Sequence, residues 1–168
     1  MSQSAAITRI GCVGLVLVLG LLLIIGAMAV RMDLARKRAS ALAARARVCE
    51  QVKKAPGVLQ RMLAFDCGKR AEDAVGSLGQ LVDSLGYDST TEELNSAWNE
   101  IDRTWAGVNR GCASKRFEQA YTDLETEMEG LRNRFSVEKD NYIHLAEIYN
   151  SALRAFPGSA VASGFEEL

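Results

Sequence analysis

Proline is almost absent from this chain: Pro56 and Pro157 are the only two in 168 residues, and a sequence so short of helix breakers suits an almost wholly helical fold. Histidine is scarcer still, with His144 alone. It falls two residues after a core-facing position and four after Asp140, which places it on an outer face in a solvated pair and not as a general base. The cysteines, Cys12, Cys49, Cys67 and Cys112, include no CxxC pair, so they make neither a zinc pattern nor a disulfide framework. Isolated thiols of this kind suit a reducing compartment and serve as small core hydrophobes. No GxSxG, P-loop, HExxH or dinucleotide fingerprint occurs. Asp123, Glu125, Glu127 and Glu129 alternate along a helix, which spreads them over its faces instead of converging them as calcium ligands. These absences leave no catalytic residue, cofactor site, metal site or small-molecule substrate to propose.

Charge is present but unevenly placed. Residues 31–54 carry eight Lys and Arg against two acids, and residues 55–168 carry eleven against nineteen. An acidic body disfavours nucleic acid as a partner. The basic stretch follows directly on a run without any charge, residues 10–30 (IGCVGLVLVLGLLLIIGAMAV), which as a helix rises roughly 31 Å, close to a bilayer core. A cleaved signal peptide is the rival reading, because Ala27-Met28-Ala29 has the small-residue form of a cleavage site. The run is long for a signal, and a stop-transfer flank follows at once; both favour a retained anchor. Only Arg9 precedes the span, whereas Arg31, Arg36, Lys37 and Arg38 follow it, so the positive-inside bias places residues 1–9 outside and the C-terminal domain in the cytoplasm. Arg31, Arg36 and Lys37 lie close enough to the bilayer to face anionic lipid.

Beyond the anchor, the clearest pattern runs over residues 117–157. Tyr121, Met128, Phe135, Tyr142, Tyr149 and Phe156 recur every seven residues, with Phe117, Leu124, Leu131, Leu145 and Ala152 interleaved. That is an a/d seam on a helix about 60 Å long, ended by Pro157-Gly158. Glu138 is the one charge in the seam, where it either pairs with an arginine to fix register or meets solvent.

The intervening chain supplies partner helices. The first helix continues from the span to residue 55, with an inner stripe of Ala35, Ala39, Leu42, Ala46 and Cys49, and Pro56-Gly57 breaks it. A second helix at 58–85 presents Cys67, Ala71, Ala74, Leu78, Leu81 and Leu85. After a turn at 86–91, Thr90 and Glu93 form a capping box for a third helix whose stripe is Leu94, Trp98, Ile101, Trp105 and Val108, the tryptophans acting as core anchors. Residues 158–168 have too few apolar positions for an element of their own, and Val161 and Phe165 either touch lipid or pack under the bundle. The expected organisation is a short tail at 1–9, a transmembrane helix at 10–30, an antiparallel bundle of about four long helices with coiled-coil-like packing at 31–157, and a tail at 158–168. The long helix exceeds the first, so its overhang calls for helices two and three, a second copy or a partner protein along the seam.

The ending is distinctive. Tyr149-Asn150, Phe156-Pro157, Ala162 and Gly164-Phe165, with Asn133-Arg134 higher on the same helix, resemble the LemA family. Gln51, Lys53, Lys54, Val58, Leu59 and Leu63 extend the likeness to the region of the family's basic run and second helix. This chain departs from the pattern at Tyr142-Ile143, where the family repeats Tyr-Asn, at Arg132, and in a shorter tail. The resemblance implies a single-pass protein of the bacterial inner membrane with a cytoplasmic bundle, in which Tyr149, Asn150, Phe156 and Pro157 are structural. The expected function is a non-catalytic scaffold or adaptor that binds a protein partner or self-assembles. The alternative is a membrane-organising or organelle-biogenesis protein of the LemA-like kind that helps build magnetosomes, binding anionic lipid through its basic stalk.

Overall fold

The computed structural model describes residues 3–65, 69–112 and 118–168, with side chains from Leu15 onward except that of Arg70. Among these residues there is no strand. Four α-helices follow in order: α1 (Gln3–Met62), α2 (Lys69–Asp83), α3 (Thr91–Gly111) and α4 (Gln119–Arg154), with 3-10 turns at Leu63–Phe65 and Gly158–Ala160. Cys67 of the expected second stripe and Phe117 of the expected seam lie outside the described residues. The apolar run and the basic stretch after it belong to one helix, as their lack of Gly and Pro between 31 and 55 implies.

Contacts divide the chain into two units, Ala41–His144 on one hand and the residues up to Ser40 with Leu145–Leu168 on the other. Within Ala41–His144, α1 and α4 run antiparallel, since Arg47 pairs with Glu138 at 2.8 Å and Arg61 with Glu127 at 2.6 Å. Glu138, the charge in the seam, therefore has an arginine partner. Helix α3 also opposes α4: Arg132 bonds Asp102 at 2.7 Å and stands over the Trp105 ring, while Trp98 stacks on Phe135 with centroids 4.3 Å apart. Helix α2 packs on α3. The whole α3 stripe is buried, and Thr90 accepts from the Glu93 amide while Glu93 accepts from the Thr90 amide, the expected capping box. Both tryptophans are core side chains, as their spacing on one face requires.

Three expectations fail here for stated reasons. Helix α1 does not break at Pro56 but continues to Met62. A prolyl residue inside a helix costs about 3 kcal/mol, yet the uninterrupted helix buries Val52, Val58, Leu59 and Met62 completely, each worth about 1.5–3 kcal/mol. The second helix consequently begins at Lys69 and not at 58. The buried stripes are also rotated. On α1 the inward residues are Ala41, Ala44, Val48, Cys49, Val52 and Ala55, with Ala35 and Ala39 exposed; on α2 they are Ala71, Val75, Leu78, Val82 and Leu85, with Ala74 and Leu81 exposed. Val48 and Val52 on α1 and Val75 on α2 gain more from leaving water than alanine does, and Val82 follows Val75 on the same face of α2, which leaves Leu81 outside.

The cysteines depart from expectation in one respect. Cys49 is a free, fully buried thiol that donates to the Gly86 carbonyl at 3.5 Å, and burial pushes its pKa up against the opposing pull of Lys53. Cys112, by contrast, is disulfide-bonded. Spacing along the sequence does not disclose such a pairing, because it depends on which helix ends meet.

Of the expected interaction seam, Tyr121, Met128, Phe135 and Tyr142 are 0, 0, 4 and 6 % exposed within this unit. The stripe serves as the chain's own core. Asn109 accepts from the Tyr121 hydroxyl at 2.6 Å, and Phe65 meets the same ring edge-on at 5.4 Å. These residues are thus not an open surface awaiting a partner, since the chain's own helices cover them.

Candidate functional site

The second unit combines the first part of α1, the last turns of α4 and residues 155–168. Its centre is Tyr149, fully buried with Leu34 and Leu153, and around them pack Val30, Ala152, Val161, Ala162, Phe165 and Leu168. Val161 and Phe165 therefore pack against this cluster, one of the two alternatives left open by their sequence. The heptad does not persist to its last member. Helix α4 ends at Arg154, so the inward position after Tyr149 is Leu153, and Phe156 stands 84 % exposed outside the helix. A seven-residue repeat holds only while the helix does.

Past Pro157 the chain folds back. Gly158 is buried so closely against α4 that a Cβ would collide with the carbonyl oxygen of Ala152, which requires glycine there. Ser159 donates its amide to the Ala155 carbonyl at 2.9 Å, and a turn closed by the Phe165 amide on Ala162 places Gly164 at φ 86°, a left-handed conformation suited to glycine. Residues 163–168 are then tied down by side chains. Arg31 donates to the Ser163 carbonyl at 3.2 Å and stands 5.7 Å from the Phe165 ring centroid. The Tyr149 hydroxyl donates to the Glu166 carbonyl at 2.8 Å. Arg154 grips both Glu167 carboxylate oxygens, at 2.6 and 2.5 Å. Asn150 uses both ends of its amide on the backbone of Leu168: Nδ2 donates to the carbonyl at 3.0 Å, and Oδ1 accepts from the amide at 3.1 Å.

Electrostatics reinforce the arrangement. Burial raises the Tyr149 phenol above its ordinary pKa, a shift that Arg38 opposes and Glu166 and Glu167 assist, so it stays a neutral donor at physiological pH. The hydrogen bonds between Arg154 and Glu167 raise the guanidinium and hold the carboxyl below the usual carboxylate value.

Tyr149 and Asn150 come together with residues 163–168, which they hold by hydrogen bonds. Asn150 bonds the folded-back segment through both ends of its amide. Pro157 ends α4 and starts the return. Of the three basic residues expected at lipid, Arg31 is engaged with Ser163 and Phe165, and Lys37 pairs with Asp33 at 2.5 Å. Arg36 is exposed and has no ion pair among the described residues. The acceptors of this strap, Glu166 and Glu167, were not singled out in the sequence; Gly164 was the visible signal of the turn that presents them. His144 is exposed and belongs to the other unit, and among the described residues no three His, Cys, Asp or Glu side chains converge as a metal site would need. The arrangement holds a chain segment in place. Compared with known proteins, this chain matches no family model, no curated protein and no solved structure.

Proposed function

We propose that this protein is a single-pass membrane-anchored helical bundle of LemA type that acts without catalysis as a scaffold or adaptor, through a protein partner or a second copy of itself. One observation carries the membrane part of this reading. Leu15 to Leu19 and Leu21 to Ile25 are all 52 to 75 % exposed along one uninterrupted helix. Ten such side chains leave about 15–30 kcal/mol of unrealised apolar burial, which lipid supplies. The LemA likeness is supported by residues that the fold uses together, Tyr149, Asn150 and Pro157.

The scaffold reading rests on a bundle whose seam is filled from within and which still exposes Val137, Ile143 and Leu81 at 67, 40 and 42 %. Photoreactive residues at these three positions in intact membranes test it. Adducts with this chain or with one reproducible second protein support it, and unattached chain from all three positions refutes it. The alternative, a membrane-organising protein that binds anionic lipid, has the exposed Arg36 in its favour. Vesicle association that needs anionic lipid and is lost on Arg36→Gln would carry it.

We place the chain in a bacterial inner membrane, its domain on the cytoplasmic side, because the basic flank acts during insertion. The Cys112 disulfide pulls the other way, toward an oxidising compartment. Trapping thiols in intact cells decides between them: a reduced Cys112 supports the cytoplasmic side, and a quantitative disulfide reverses the topology.

A further inference from the structure

Phe156 is the most exposed large hydrophobic side chain among the described residues, 84 % open, whereas the aromatic residues within α4 are buried. It forms one wall, with Pro157, of a groove of about 410 Å³ whose other wall is Ala29, Val30 and Asp33 of α1. Ala29 and Val30 are the last residues of the uncharged span. Asp33 stands three residues further, about 4.5 Å along the axis, within the headgroup layer that extends about 5–7 Å beyond the hydrocarbon on each side. The groove therefore begins at the edge of the bilayer core and opens into the headgroups. Ala29 and Val30 of the span thus share the groove with Ala152, Ala155 and Phe156, so its apolar lining is continuous with the span on that side.

We infer that Phe156 is a second membrane contact of this chain, buried at the boundary of acyl chains and headgroups, and that the groove between it and the span is filled by an acyl chain of a phospholipid in the same leaflet. The inference rests on the anchor reading above and adds to it a second element that enters the bilayer. Continuity with the span selects lipid over a protein as the occupant, because one wall of the groove is itself membrane helix. The rim selects no headgroup charge: Lys37 and Asp33, both lining the groove, neutralise each other at 2.5 Å. This contact is thereby distinct from attraction of the basic stalk to anionic lipid.

The test uses the full chain reconstituted in phosphatidylcholine vesicles. Phe156→Trp is compared with Val137→Trp, at a 67 % exposed position of the other unit, and with the unsubstituted chain, whose Trp98 and Trp105 give a constant background. The added emission of Phe156→Trp is expected to be blue-shifted relative to that of Val137→Trp. Most of it should be lost when the lipid carries bromine on the upper acyl chain, and the loss should be the same with and without anionic lipid. Water-like emission open to iodide would overturn the proposal. So would a blue shift without bromine quenching, which would mean a second copy covers Phe156. Alkaline extraction of the same vesicles reads the anchor separately: a chain stripped by alkali overturns the anchor reading and this proposal with it, whereas a retained chain with an aqueous Trp at 156 overturns this proposal alone.

Discussion

Asn150→Ala should release the return segment while leaving the helices in place. The amide makes two hydrogen bonds to the Leu168 backbone, at 3.0 and 3.1 Å, on a side chain that is only partly buried. Each such bond is worth about 1 kcal/mol net, so the substitution shifts the docking equilibrium of residues 163–168 by about 2 kcal/mol, or about 30-fold. Hydrogen exchange on the reconstituted chain reads this directly: amides of that segment should exchange about 30-fold faster, and those of α3 unchanged. Asn150→Asp keeps the acceptor for the Leu168 amide but sets a carboxylate oxygen against the Leu168 carbonyl, which predicts a release at least as large as the loss of one bond. Unchanged exchange in Asn150→Ala would refute the assignment of Asn150 as the residue that holds the segment. Equal acceleration throughout α3 would refute the local character of the docking.

Acidity should act on the same segment through Glu167, whose carboxyl is held below its ordinary value by Arg154. A depressed carboxylate stabilises the docked state fully above its unfolded pKa and loses that contribution as pH falls through the depressed one, so protection of residues 163–168 should hold at neutral pH and decline in acid below the ordinary value of 4.5, a step absent from Glu167→Gln. Trp98→Ala removes a 5 % exposed ring stacked on Phe135 and should lower unfolding stability by about 3–5 kcal/mol in denaturant titration. Pro56→Ala restores a donor inside α1 and should raise stability by about 2–3 kcal/mol; a decrease would show that the proline ring itself packs favourably there.

Several features were legible from residue pattern alone because the physics behind them is local. The span needs only length and absence of charge, the α3 cap only Thr90 and Glu93 at the right spacing, and the α3 stripe only a 3.6-residue period broken by no glycine before Gly107. The inner face of α1 was harder to read. Its candidate stripes are built from alanine, which differ little in area, so one rotated by a residue is nearly as good until the partners are known, and Val48 and Val52 decided it. The break at Pro56 misled for the same reason: the penalty is local, but the burial that outweighs it comes from helices distant in sequence.

The site shows the same division. Tyr149, Asn150 and Pro157 stand out in the sequence, yet what Asn150 bonds depends on a chain reversal, and Pro157-Gly158 and Gly164 signal that reversal without stating its direction. Phe156 continues a seven-residue rhythm and reads as core, and only the end of α4 at Arg154 turns it outward toward the span. The sequence by itself determined an all-helical chain with one membrane-length apolar helix and a seam of large side chains, because periodicity and hydropathy are properties of neighbours. Which residues fill that seam, which cysteine is paired and which aromatic is left exposed were decided only in the tertiary structure, because each depends on surfaces that distant segments bring together.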